Sequence, residues 1–130
     1  MMQDGRRKPV VMIVDDEPVI RETILEILND EGFEAIGMSS ATQALAWVER
    51  IRPDVILTDV VMPGTSGIEL AASVAEKYPE CRVVLFSGQS AATDMVERAR
   101  AQGHDFDLLP KPLDPEVLLS TLRSLARREP

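Results

Sequence analysis

The stretch "ILTDVVMPG", Ile56–Gly64, is an apolar run that ends on a carboxylate, Asp59, and then turns at Pro63 and Gly64. Aliphatic and β-branched residues bounded by turn residues predict a strand here. A carboxylate beside such a strand is costly in free energy unless a partner compensates its charge. Asp59 therefore raises the question of which other residues fold towards it.

Aliphatic runs of this kind alternate with helical patterns along most of the chain. The helical segments repeat apolar residues every three or four positions, as at Ile20, Ile24 and Leu28. This alternation predicts a parallel sheet with helices on both faces, which is an α/β fold. The five predicted strands read "VVMIV", "EAIGMS", "DVILTD", "RVVLFSG" and "FDLLP".

The helical segments differ in the strength of their apolar faces. Pro18 suits the first turn of the first helix and Gly32 suits its end. The residues predicted to face inward in the third helix are Ile68, Ala71, Ala72 and Ala75. The fourth helix has a thin stripe, which consists of Met95, Val96 and Ala99. Loose packing, and hence mobility, is predicted for the fourth helix.

The length of 130 residues suits a single domain. We predict a tail over residues 1–9 and a domain over residues 10–128. No apolar run approaches the ~20 residues of a membrane-spanning helix, and the start "MMQDGRRKP" lacks the apolar stretch of a secretion signal. A lone cysteine, Cys81, permits no internal disulfide and fits a reducing compartment, so a cytoplasmic location is expected.

The net negative charge of the chain argues against one class of function and is compatible with another. A formal net charge of −8 argues against direct nucleic-acid binding by this domain, because phosphate contacts need a basic face. The single histidine, His104, lies in "AQGHDFD" and is predicted to be a solvated loop residue, since zinc sites need several His or Cys ligands. The acidic balance is compatible with binding a cation.

Chemically active residues follow four of the five predicted strands. The first strand ends at Asp15 and Asp16, the third at Asp59, the fourth at Ser87 and the fifth at Lys111. Taken singly, either aspartate could cap a helix, the serine could serve a turn and the lysine could be solvated. Ligands of open parallel sheets bind at the carboxyl ends of the strands. The combination therefore predicts one shared site.

The electrostatics of this predicted site favour a metal ion. Two carboxylates ~4 Å apart repel by roughly 4 kcal/mol at an effective dielectric near 20, so three of them require cations. Lys111 supplies one positive charge, and Mg²⁺, which accepts carboxylates, waters and phosphate, is the natural second. Such a site suits phosphoryl transfer. On this reading Asp59 is the nucleophile, and Asp15 and Asp16 hold the metal.

The motifs "VDDEP", "LTDVVMPGTSG", "VVLFSG" and "PKP" occur in this order over Val10 to Arg127. With these motifs the chain resembles the receiver domain of two-component response regulators. The resemblance implies a flavodoxin-like (βα)5 fold whose five-stranded parallel sheet has the order 2-1-3-4-5. It also implies a signalling switch rather than an enzyme, with a sensor histidine kinase or a histidine phosphotransfer protein as its phosphoryl donor.

The same resemblance implies a role for each candidate residue. Asp59 corresponds to the phosphoacceptor, and Ser87 and Lys111 to the residues that contact the phosphoryl group. The metal ligands for Mg²⁺ would be Asp15, Asp16, Asp59 and the backbone carbonyl of Val61. The Lys111–Pro112 bond is expected to be cis, as only X–Pro bonds commonly are. The surface of the fourth helix, fifth strand and fifth helix would change on phosphorylation and signal to a downstream protein or effector domain.

One departure from the family pattern concerns this output step. Most receivers carry Tyr or Phe three residues before the lysine, and here that residue is Leu108. Phe106, with the same strand parity, is the alternative aromatic residue.

Three other functions fit parts of the pattern. A pseudo-receiver would keep the fold as a binding module without phosphorylation. An aspartyl-phosphate hydrolase of the haloacid dehalogenase type would usually carry a second acid at position 61, which is valine here. A flavin-binding protein of the same fold would need a Ser/Thr/Gly-rich phosphate loop after the first strand, and that loop is absent from the sequence.

Overall fold

The computed structural model describes residues 7–88, 91–104 and 106–126, in which strands and helices alternate. The strands are β1 (Val10–Val14), β2 (Glu34–Met38), β3 (Val55–Asp59), β4 (Arg82–Ser87) and β5 (Asp107–Pro110). The helices are α1 (Pro18–Asp30), α2 (Ala41–Ile51), α3 (Gly67–Lys77), α4 (Ala91–Ala101) and α5 (Pro115–Ala126). Residues 1–6 of the predicted tail, residues 89–90, Asp105 and residues 127–130 lie outside the described part.

The five strands form one parallel sheet in the order β2-β1-β3-β4-β5, so the predicted fold class and strand order are confirmed. At the carboxyl edge of the sheet, Asp59 is in register with Phe86, and Ser87 is in register with Pro110. The ends of β3, β4 and β5 therefore lie side by side. The Lys111–Pro112 bond that follows β5 is cis, as expected.

Two apolar layers cover the two faces of the sheet. On one face, β1 residues Val11 and Ile13 pack with α1 and α5. On the other face, Met12 and Val14 of the same strand pack with α2 and α3. Successive side chains of a strand point to opposite faces, and here both faces are covered. This explains why the strands are nearly continuous aliphatic runs.

The inner face of α3 differs from its prediction. Leu70, Ala71 and Val74 are buried, whereas the predicted Ile68 and Ala75 are only partly buried. The helix lies between two apolar clusters: Leu70 and Val74 join the cluster around Met12, and Ala71 joins the cluster around Leu85. The predicted residues therefore lie mostly at the border of the buried face of α3, and only Ala71 lies within it. Ser66 and Glu69 begin α3 with a capping box.

The approach to β5 corrects one prediction and refines another. His104 is half-buried rather than solvated, because its ring stacks on Phe106 with 5.8 Å between centroids and 2° between planes. Phe106 is buried, and together with the half-buried Leu108 it packs in the cluster that includes Val96 and Ala99 of α4. The apolar stripe predicted for α4 thus faces the start of β5. No described helix has the length and apolarity needed to cross a membrane.

Candidate functional site

The carboxyl edge of the sheet brings together residues from three separate strands. Asp15 directly follows β1, Asp59 ends β3, and Lys111 directly follows β5. The Lys111 ammonium donates a hydrogen bond to Asp59 Oδ2 at 3.1 Å and lies 3.5 Å from Asp15 Oδ2. Asp15 and Asp59 are both buried. The pairing partner that Asp59 required is therefore Lys111, 52 positions away in sequence.

Lys111 is held at its backbone and at its ammonium. Its backbone N–H donates to the Ser87 carbonyl at 3.1 Å, and its ammonium lies 4.8 Å from the centre of the Phe86 ring. Burial by itself lowers the pKa of Lys111, but the hydrogen bond to Asp59 and the nearby carboxylate charges raise it overall. Lys111 is therefore a permanent cation at the site, although only 18% of its side chain is exposed.

Asp15 has one satisfied and one unsatisfied oxygen. Its Oδ1 accepts a hydrogen bond from the Glu17 backbone N–H at 2.8 Å. Its buried Oδ2 lies within ion-pair distance of Lys111 but accepts no hydrogen bond from any described residue. Burial raises the pKa of Asp15, because an ionised carboxylate loses its hydration there. A buried anionic oxygen without a hydrogen bond is a position at which a hard cation fits.

A carboxylate that was not predicted for the site, that of Glu17, lies close to Asp15 and Asp59. One carboxylate oxygen each from Asp15, Glu17 and Asp59 lie within 4.8 Å of one another. Asp16 is exposed, and its carboxylate is not one of these three. The assignment of Asp16 as a metal ligand stays a prediction. Glu17 was missed because sequence motifs do not show which way the chain turns between β1 and α1.

The other two predicted site residues line the same edge. The Val61 N–H donates to Asp59 Oδ1 at 3.2 Å, so both oxygens of Asp59 are held, one by Lys111 and one by the loop after β3. Val61 itself is exposed, and Gly64 turns the loop with a φ of +78°. Ser87 is buried at the end of β4, beside Lys111. The roles of the Val61 carbonyl and the Ser87 hydroxyl stay predictions.

A glycine fixes the backbone of Asp59. Gly67 is the first residue of α3, and its N–H donates to the Val60 carbonyl at 2.9 Å. A Cβ placed on Gly67 would lie 2.0 Å from the Asp59 carbonyl oxygen, which is far inside contact distance. The helix start can approach β3 this closely only because residue 67 has no side chain. This glycine is a second residue that the sequence reasoning did not single out.

The charges of the site do not balance within the described residues. Three carboxylates face one ammonium, and the hydrogen-bond capacity of Asp15 is incomplete. The Arg21 guanidinium lies nearby, but it donates to the Asp15 backbone carbonyl at 2.8 Å rather than to a carboxylate. A divalent cation bound by oxygen ligands would correct both deficits, and the donor set is the type that Mg²⁺ prefers. The carboxyl edge of the sheet thus combines the oriented carboxylate of Asp59, the Lys111 ammonium and a position beside Asp15 at which a metal ion fits.

The chain matches the family described as "Response regulator receiver domain" over residues 11–123. It is 33% identical over 128 residues to the probable transcriptional regulatory protein TcrX of Mycobacterium tuberculosis, covering 98% of this chain and 54% of TcrX. It is 38% identical to an uncharacterized response regulatory protein of Yersinia pestis, covering 90% of this chain and 48% of that protein. The chain thus spans about half the length of these relatives.

Solved structures agree with this match. A receiver domain protein from Clostridium thermocellum superposes with a TM-score of 0.82 at 27% identity, covering 92% of this chain and 95% of that chain. The protein TrrA from Thermotoga maritima, described as being in complex with Mg(2+)-BeF, superposes with a TM-score of 0.79 at 26% identity, covering 90% and 98%. The chain therefore belongs to the response regulator receiver domain family.

Proposed function

We propose that this chain is a phosphorylated signalling switch in which Asp59 accepts a phosphoryl group from a histidine of a sensor kinase or of a histidine phosphotransfer protein. Receiver domains act mainly as signalling switches, pair with histidine kinases and effectors, and bind Mg²⁺ at an acidic site. The observation that carries the proposal is the meeting of Asp59, Asp15 and Lys111 at the sheet edge. We place the protein in the cytoplasm, with no direct binding of nucleic acid by this domain.

The transfer step can be written on the atoms of the site. An Asp59 carboxylate oxygen attacks the phosphorus of the donor phosphohistidine, a P–O bond forms and the P–N bond breaks, and the electron pair of that bond returns to the imidazole nitrogen. The products are an acyl phosphate on Asp59 and free histidine. The Lys111 ammonium, 3.1 Å from Asp59 Oδ2, stabilises negative charge on the transferred phosphoryl oxygens. The Val61 N–H, on the other carboxylate oxygen, orients the nucleophile.

The metal-binding side of the site belongs to the acidic residues. Asp15, with its unsatisfied oxygen, and Asp59 would hold Mg²⁺, and Asp16 and the Val61 carbonyl complete the predicted ligand set. When bound, Mg²⁺ neutralises charge on the phosphoryl oxygens and lets the acidic cluster accept an anion. Without a cation, three carboxylates would repel the phosphoryl donor.

A structural change caused by phosphorylation would pass from Asp59 to β4 and β5, the two strands that end beside it. Ser87 ends β4 and Lys111 follows β5, and the two are joined by the hydrogen bond from the Lys111 N–H to the Ser87 carbonyl. A phosphoryl group on Asp59 would add new contacts to both residues, and such differential contacts shift a pre-existing equilibrium. Leu108 of β5 packs in one cluster with Val96 of α4. This packing links the site to the proposed output surface, which is formed by α4, β5 and α5. A downstream protein or an effector domain would bind that surface.

The test is covalent labelling with Mg²⁺ and acetyl phosphate, read by intact mass. Wild type should gain the mass of one HPO3 group, and Asp59→Asn should gain none. Asp30→Asn, at the exposed end of α1, is the matched control and should label like wild type. Sustained release of phosphate over many turnovers would favour the hydrolase instead, and the absence of any adduct would favour the pseudo-receiver.

A further inference from the structure

Glu17 holds an unusual position at the mouth of the site. It is the N-cap residue of α1, with extended backbone angles, and its side chain makes no capping hydrogen bond. Its carboxylate instead lies 3.8 Å from the Lys111 ammonium. The Glu17 side chain is 59% exposed, whereas that of Asp15 is fully buried. Glu17 is therefore the most exposed member of the three-carboxylate group.

The Lys111 ammonium is already surrounded before any phosphoryl group arrives. It has three N–H donors, and it faces Asp59 at 3.1 Å, Asp15 at 3.5 Å and Glu17 at 3.8 Å. Only the contact with Asp59 is a hydrogen bond, so an arriving phosphoryl oxygen competes with Asp15 and Glu17 for the charge and the orientation of the ammonium. Asp59 is the acceptor itself, and Asp15 is buried and held by the Glu17 N–H. Glu17, long and exposed, is the one that can withdraw into water.

We propose that Glu17 is a positioning residue that holds Lys111 in the unphosphorylated state and competes with the phosphoryl group for it. The inference rests on the proposed function and deepens it. The same negative charge has two opposite effects: it attracts Mg²⁺ to the acidic cluster, and it repels an anionic phosphoryl donor. Glu17 thus sets a balance between metal affinity and the rate of phosphorylation.

The experiment compares Glu17→Gln, which removes the charge and keeps the size, with Glu26→Gln as control. Glu26 lies on the same helix, nine residues or about 14 Å further along its axis, and is exposed. Mg²⁺ affinity is measured by calorimetry without a phosphoryl donor. Labelling by acetyl phosphate, from which acetate leaves, is then followed at saturating Mg²⁺. This design separates metal binding from phosphorylation.

Glu17→Gln is expected to weaken Mg²⁺ binding about fivefold and to label about fivefold faster at saturating Mg²⁺, because an exposed charge at this distance has a modest effect. The rate difference should shrink as ionic strength rises. Glu26→Gln should change neither quantity. Glu17→Asp, which keeps the charge on a shorter side chain, should fall between wild type and Glu17→Gln in both measurements.

Two results would overturn the inference: a labelling rate for Glu17→Gln at or below that of wild type, or an unchanged Mg²⁺ affinity. Failure of the proposed function has a different signature, since wild type itself would then acquire no phosphate. In that case the calorimetric comparison still tests whether Glu17 contributes to the cation site.

Discussion

Two aspartates at opposite ends of β3 show how the same side chain serves two purposes. Asp54 precedes the strand and accepts hydrogen bonds from the Val10 N–H at 2.8 Å and from Arg7 at 3.1 and 3.4 Å. Asp59 ends the strand and accepts from Lys111 and the Val61 N–H. Asp54 has its own cation at the surface, whereas Asp59 shares one half-buried cation, Lys111, with Asp15.

The surroundings of the two aspartates extend this contrast. Near Asp54, a cavity of about 310 Å³ is lined by three arginines and two carboxylates, which include the exposed pair of Arg52 with Glu80 at 3.8 Å. Near Asp59, three carboxylates converge on Lys111. Arginines outnumber carboxylates at this amino edge of the sheet, whereas carboxylates outnumber the Lys111 ammonium at the carboxyl edge. Together with the unsatisfied Oδ2 of Asp15, this excess of negative charge favours a cation as the ligand of the carboxyl edge.

The largest loss of stability is expected from Gly67→Ala, which would move the backbone of Asp59. The new Cβ would meet the Asp59 carbonyl oxygen at 2.0 Å, so β3 and α3 have to separate. We expect a loss of about 3 kcal/mol in the free energy of unfolding, measured by urea denaturation, since overpacking against backbone cannot relax by rotamer changes. Labelling of Asp59 should fall as well.

The matched control for Gly67→Ala is Gly88→Ala. A Cβ on Gly88 would meet the Lys111 Cβ at 3.4 Å, which is ordinary contact, so its unfolding free energy should stay within ~0.5 kcal/mol of wild type. Equal stability of the two alanine variants would show that the start of α3 does not constrain Asp59.

The next effect is expected from Asp54→Ala, which tests the structural aspartate. This change leaves the Val10 N–H without its acceptor and removes the partner of Arg7. The hydrogen bond is partly buried and the ion pair is exposed, so we expect a loss of about 1–2 kcal/mol in unfolding free energy, mainly from the N–H.

Labelling by acetyl phosphate separates the two aspartates. Asp54→Ala should still label at the wild-type level under native conditions, whereas Asp59→Asn should not label. A labelling defect in Asp54→Ala without a loss of stability would contradict the division of roles between the two ends of β3.

The smallest effect is expected from Asp15→Asn in the absence of Mg²⁺. This variant should have a higher free energy of unfolding than wild type at neutral pH. The pKa of Asp15 is raised above 3.8, chiefly by burial. The folded state therefore holds its proton more tightly than the unfolded state. The contribution of Asp15 is fully favourable below the unfolded pKa and is lost as pH rises through the folded pKa. Removing the charge should stabilise the protein by about 1 kcal/mol at neutral pH.

Urea denaturation at pH 3.5 and pH 7 measures the change. The difference between wild type and Asp15→Asn should be larger at pH 7 than at pH 3.5, and Mg²⁺ should reverse it by stabilising wild type more. Asp30→Asn serves as the control for charge removal alone. A destabilised Asp15→Asn at pH 7 without Mg²⁺ would mean that the Lys111 pair outweighs the burial of the charge.

The predictable parts of this molecule follow from periodicity and from the geometry of parallel strands. Alternating elements gave the α/β fold, and the strand order came from the family motifs. The meeting of Asp59 with Lys111 followed from the rule that the carboxyl ends of parallel strands share one edge. Which residues bind the metal and which contact the phosphoryl group is decided by the labelling and calorimetric measurements.

The parts that sequence reasoning missed depend on contacts that no local pattern encodes. The position of Glu17 is set by the direction of the chain between β1 and Pro18, and the importance of Gly67 by how closely α3 approaches β3. The partial burial of His104 depends likewise on Phe106, on which its ring stacks and which packs against α4. Each of these features depends on tertiary packing, about which one residue and its neighbours in sequence carry little information.

The contact between Gly67 and the Asp59 carbonyl has a practical consequence for protein engineering. A designer who transplants β3, the strand that ends in Asp59, into another scaffold has to move the start of α3 with it. The strand and the helix start form one indivisible module, and chimeras should be cut on either side of that module rather than within the loop that joins its two halves.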